Sequence, residues 1–229
     1  MTAFTSLLLA LSLGQSLPPI PPGSSAGLPN SSLENPLETK KREKQDLIDK
    51  LRRDIFKVDR SLGETEKLIG KSRNAPYLPD LQFRQAELYV EKSRYRYFLQ
   101  AETRPEGQKG ALVSPETKLL KQKAVQIYNR ILKEFPDFKD ADKVTFYLAH
   151  EQRELGEFDV PVEENMLKTL ASLIQKYPSS PLRLDAEQIL GDYWFDKSDL
   201  TKAEAHYKAI LDAPELLNPE IEVTPARVP

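Results

Sequence analysis

An all-α fold of about three stacked helical hairpins behind one long helix is what this sequence predicts, on three observations. Residues 184–211 split into two amphipathic halves joined at residues 196–199. Small residues fall at Ala186, Gly191, Ala203 and Ala205, where two helices must touch. The spacing of this stretch recurs upstream, and an isolated hairpin of its size needs neighbours of the same kind to cover its apolar face. A proline-free run over residues 38–72 carries apolar residues in steps of three and four.

In chain order, residues 1–16 contain the apolar run 6–13 and end in small residues at Gly14 and Ser16. This is the pattern of a secretory signal peptide, although no Lys or Arg precedes the run. The run is too short for a permanent bilayer span. Residues 17–36, rich in Pro, Ser, Gly and Asn, read as a disordered linker. Residues 37–73 read as the long helix, with a seam through Ile48, Leu51, Ile55, Val58, Leu62, Thr65 and Ile69 between highly charged flanks. That seam suits a coiled coil with a second copy, giving a homodimer through residues 38–72. It equally suits a helix folded back as a cap on the first hairpin, which a stack of repeats needs for solubility. Gly63 and the polar Thr65 weaken a long supercoil and favour the cap.

Residues 74–80, with two prolines, break that helix. The repeat region spans residues 79–214, with units beginning at Leu81, Asp142 and Leu184. Ala203, Tyr207 and Ile210 follow one another by four and then three residues, and Ala124, Tyr128 and Ile131 repeat that spacing ahead of Pro136. Leu167, Leu170 and Leu173, ahead of Pro178, make a further copy. Leu148-Ala149 and Leu190-Gly191 lie 42 residues apart, as do Pro136 and Pro178. One period shared by two unrelated features marks a repeat. Hairpin corners are expected at residues 91–95, 155–159 and 196–200. Residues 160–164 should lengthen the middle corner, residues 179–181 the link to the last unit, and residues 101–115 form an exposed insertion. With three further prolines and no period, residues 215–229 read as a disordered tail.

Leu190-Gly191-x2-Trp194 and Ala203-x3-Tyr207 resemble the L-G-x2-Y and A-x3-F pattern of the tetratricopeptide repeat family, in particular its exported bacterial cell-envelope members. The resemblance implies a right-handed superhelix whose first helices line a concave face that takes an extended or helical peptide. Counted turn by turn, the matching positions are Asp80, Phe83, Glu87 and Val90, then Lys143, Phe146, His150 and Arg153, then Asp185, Gln188, Asp192 and Phe195. On this reading Phe83, Phe146 and Phe195 are apolar anchors among charges. Packing between repeats is the alternative for each, since aromatics at helical spacing usually face inward.

Composition narrows the function. With 39% hydrophobic and 30% charged residues, the chain suits a solvent-rich stack better than an enzyme with a thick core. A net charge of −2 gives no general attraction to nucleic acid or anionic lipid. The absence of cysteine removes disulfides, thiolate metal sites and cysteine nucleophiles. His150 and His206 sit in different repeats without H-E-x-x-H spacing. Glu151 and Glu154 near His150 form a grouping commoner on plain surfaces than at metals. No phosphate-cradling loop or nucleophile elbow occurs, so no catalytic residue, cofactor or metal is expected. The function expected is a non-enzymatic scaffold of the bacterial cell envelope, periplasmic or exported, holding a partner protein in its concave face. Two alternatives stay open: a structural oligomer built by the long helix, and an accessory subunit or fragment of a larger envelope complex, such as outer-membrane assembly, Tol-Pal-like or motility machinery.

Overall fold

The computed structural model describes residues 36–105, 107, 114–156 and 160–217. Among these are α-helices and no strand: α1 Pro36–Lys71, α2 Leu78–Thr103, α3 Pro115–Glu134, α4 Ala141–Gly156, α5 Val160–Lys176, α6 Leu182–Asp196, α7 Leu200–Leu211 and the single turn α8 Pro214–Leu217. Each helix from α1 to α7 packs on the next, and α4 also touches α6. The signal-peptide and linker readings over residues 1–35, and the tail from residue 218, lie outside the described residues. No described helix is long and apolar enough to cross a membrane.

The long helix forms from Lys, Arg, Glu, Asp and Leu, and its exposed side is laced with pairs one turn apart. Lys57–Asp54 at 3.0 Å and Lys67–Glu64 at 3.1 Å are two of them. Gly63 does not interrupt α1, and Thr65 satisfies its hydroxyl by donating to the Ser61 carbonyl at 2.8 Å. The seam residues Ile48, Leu51, Ile55, Val58, Leu62 and Thr65 are buried. Val58 and Leu62 pack on Leu88, Tyr89 and Tyr95 of α2. Lys92 pairs with Asp59 at 2.6 Å, and the Tyr89 hydroxyl donates to Glu66 at 3.1 Å. The seam residues are therefore buried within the chain, where α1 folds back and packs on α2.

Several local expectations are corrected. Residues 91–95 are no corner: they lie inside α2, which runs to Thr103, and the buried Ser93 returns its hydroxyl to the Val90 carbonyl at 2.7 Å. The first hairpin turns after Thr103 instead. Ser114 then caps α3, its Oγ accepting from the Thr117 N–H at 3.1 Å, with Pro115 at the first helical position. Helix α2 begins at Leu78 rather than Leu81, because Pro79 sits in its first turn, where a missing N–H costs no hydrogen bond. Residues 160–164 belong to α5, not to a longer corner, and residues 214–217 make α8. The middle copy of the A-x3-Y spacing starts at the buried Met166, with Leu167 only partly buried.

The core is a series of three linked clusters. Val58 and Leu62 meet Leu88 between α1 and α2. Ala86, Val90, Ala124, Tyr128, Ile131 and Val144 are buried together across α2, α3 and α4. Ala149, Met166, Leu170, Leu173, Ala186 and Leu190 do the same across α4, α5 and α6. A small residue lies at the contact in each hairpin: Ala86, Ala149 and Gly191 are all buried. At Gly191 the reason is explicit, because a Cβ there would stand 2.5 Å from Cε1 of Tyr207. The Tyr207 hydroxyl donates to Asp192 at 2.8 Å, fixing the ring across α6. At the far end α7 leaves Leu200 and Leu211 exposed.

Three variants test this packing. Leu62→Ala should cost about 2–5 kcal/mol, as truncation of a buried leucine does, while Phe56→Ala on the 70% exposed outer side stays within about 0.5 kcal/mol; urea unfolding compares them. Gly191→Ala should lower stability by about 1–3 kcal/mol through overpacking, offset in part by about 0.5–1 kcal/mol of helix propensity. Its amide hydrogen exchange should quicken in α7 before it does elsewhere.

Candidate functional site

Helices α2 and α4 are brought side by side through Phe83, whose ring stacks on Tyr147 with centroids 5.8 Å apart and meets Tyr128 at 6.0 Å and Phe138 at 6.3 Å. Next to this aromatic knot runs a groove of about 560 Å³. Buried Val90 and Tyr128 and half-buried Phe146 give it an apolar base. Tyr95, Phe98 and Tyr147 line it higher up, with Phe98 53% and Tyr147 40% exposed. At the rim Arg84 holds Glu87 at 3.3 Å and Tyr95 donates to Glu91 at 3.1 Å. Arg94, also in the lining, has no ion pair among the described residues.

Where the groove meets α4 it touches a buried charge cluster. Lys121 of α3 donates to Glu151 at 2.8 Å and also pairs with Glu154. His150 Nδ1 lies 3.7 Å from Glu151 and 3.5 Å from Glu154. Burial pushes the Glu151 carboxyl up, but neighbouring His150 and the Lys121 ammonium outweigh it and hold the carboxyl below its usual range. The Tyr128 hydroxyl is pushed the other way, upward, by burial first and then by the charges of Glu151 and Glu87. Both groups move away from neutrality, so neither is set to exchange a proton near neutral pH.

His150, Glu151 and Glu154 put three ligand-type atoms within 4.8 Å of one another. The Lys121 ammonium already bridges both carboxylates. A divalent ion would have to displace it, leaving an uncompensated charge in a buried place. The grouping therefore does not fit a metal.

Of the positions singled out in the sequence, the structure gathers Glu87, Val90, Phe146 and His150 into the groove. Phe83 is half-buried and packs against the core cluster of α2, α3 and α4. Asp80 pairs with Lys139 at 3.2 Å and Lys143 with Asp140 at 2.7 Å. Arg153 lines a separate hollow of about 440 Å³ with Tyr193 and Lys197. Asp185 and Gln188 are exposed on α6, and Asp192 is committed to Tyr207. Phe195 is 58% exposed at the end of α6, so the three phenylalanines are not equivalent anchors. Sequence reasoning missed Arg84, Glu91, Arg94, Phe98 and Tyr147. On α2 the lining runs through 84, 87, 90, 91, 94, 95 and 98, so it shares 87 and 90 with the stripe chosen at 80, 83, 87 and 90 and continues about two turns beyond it.

No family model, curated protein or solved structure matches the chain.

The Lys121–Glu151 pair gives a measurable signature. Lys121→Met should cost about 3–5 kcal/mol by leaving Glu151 buried without its cation, and adding Glu151→Leu should restore most of that loss. Because the folded-state pKa of Glu151 is lowered, its contribution is full above the unfolded carboxyl value of about 4.3. It is lost as pH falls through the lower folded value. Urea unfolding across pH 2–7 should show a flatter acid limb for Glu151→Gln than for the native chain.

Proposed function

We propose that this chain is a tetratricopeptide-like stack of hairpins closed at one end by α1, and that it is a non-enzymatic scaffold of the bacterial cell envelope. It holds a partner protein in the groove between α2 and α4. One observation carries the reading: solvent-exposed Phe98 and Tyr147 stand over an apolar base of Val90, Tyr128 and Phe146, with the unpaired Arg94 beside them. Aromatic and Arg side chains around an apolar base are the residues that dominate protein–protein binding energy. The recurrence of Ala86, Ala149 and Gly191 at the helix contacts supports the repeat reading. Placement in the envelope rests on the apolar run at residues 6–13.

A photo-crosslinking amino acid at position 98, in the exported protein in its native cell, should yield a discrete adduct that position 56 on the outer side of α1 does not. Arg94→Glu should reduce that adduct roughly tenfold while changing stability by no more than about 0.5 kcal/mol. No adduct at 98, or equal adducts at 98 and 56, would discard the groove. Sequencing the mature N-terminus in the same cells should find a start near residue 17; an intact Met1 would discard export by a cleaved signal.

A further inference from the structure

On the opposite side of α4 from the groove, α3, α4 and α5 enclose a second cleft of about 690 Å³. Thr145, Leu148 and Gln152 face it from α4, whereas Phe146, Tyr147 and His150 face the groove. Three features set the cleft apart. Gln152 is 7% exposed, yet its Oε1 has no hydrogen-bond partner. A buried acceptor left unpaired costs about 1–3 kcal/mol, so this one calls for a donor. Lys168 and Lys176 of α5 line the cleft and have no ion pair among the described residues. Finally, among the described residues no Asp or Glu lines the cleft, in a chain with 35 acidic residues to 33 basic ones.

The remaining polar lining is made of amides and hydroxyls. Asn129 and Asn165 contribute from α3 and α5. Thr145 and Thr169 give their hydrogens to the Ala141 and Asn165 carbonyls at 2.7 and 2.8 Å, so toward the cleft they offer lone pairs alone.

We propose that this cleft binds an acidic peptide segment in extended conformation. A turn of the Gln152 amide toward the cleft lets an N–H of such a backbone supply the donor that its buried Oε1 lacks, and side-chain amides match the donor and acceptor pattern of the peptide bond. Lys168 and Lys176 are eight residues apart on one helix, about 12 Å at 1.5 Å per residue. Two carboxylates four residues apart on an extended strand are separated by about 13 Å. The lysines thus read two acidic side chains while the amides hold the main chain between them. This site is independent of the α2/α4 groove, which lies across α4.

The probe is a fluorescein-labelled pentapeptide with glutamate at its first and fifth positions, followed by anisotropy at low salt. The native chain should bind it roughly tenfold more tightly than the analogue carrying glutamine at both positions, and Lys168→Glu with Lys176→Glu should remove that advantage. Gln152→Leu should weaken binding by about fivefold while leaving the melting temperature unchanged or raised, since the unpaired acceptor is gone. Arg94→Glu in the groove should leave peptide binding as it is. The proposal fails if the glutamate and glutamine peptides bind alike or if the lysine variants bind as the native chain does. It also fails if inorganic phosphate displaces the peptide at equal concentration, which would make the cleft a simple anion site.

Discussion

Helices α2 and α4 each bury apolar side chains in two directions at once, and the rest of the structure follows from that. Leu88 of α2 turns to α1 while Ala86 and Val90 turn to α3 and α4. On α4, Val144 and Leu148 belong to one cluster and Ala149 to the next. A helix committed on two sides has two narrower faces left, and on α4 those faces carry the groove and the second cleft. Neither opening is a pocket carved into a core. Both are what remains exposed when a shared helix has satisfied its neighbours.

Electrostatics follow the same geometry. Lys121 and Glu151 occupy positions that the helical period assigns to the core, and each is tolerable because the other faces it across the α3–α4 contact. The pair leaves neither charge without a partner at that junction. It also fixes the identity of the ion in that corner: the charge that completes the carboxylates comes from the chain itself. The same helix that ends the groove in this pair shows Gln152, without a partner for its oxygen, on its other side.

Much of the fold was legible because helical periodicity survives in one dimension: the seam at Leu51, Ile55, Val58 and Leu62 is buried as its spacing demands. The misplaced corner at residues 91–95 shows where likeness misleads. Those residues resemble the true turn at 196–200, yet Glu, Lys, Arg and Tyr all sit well in a helix, and no Pro or Gly falls between residues 80 and 104 to end one. The missing breaker was the more physical signal. The groove was half legible for a different reason. Phe83 is drawn inward by Tyr128, Phe138 and Tyr147, rings that come from distant parts of the chain, and nothing local distinguishes it from Phe98. Lys121 and Glu151 were not singled out from the sequence, although each stands among the buried positions of its helix, and a charged residue at apolar register is the signal that could have found the pair.

Apolar side chains stand in water at both extremities of the described layers. Leu47, Phe56 and Leu68 are exposed on α1 and Leu200 and Leu211 on α7, and each helix sets them among charge pairs three or four residues apart. Neither extremity is sealed by charge alone, so the series of layers shows the same kind of surface at its two ends.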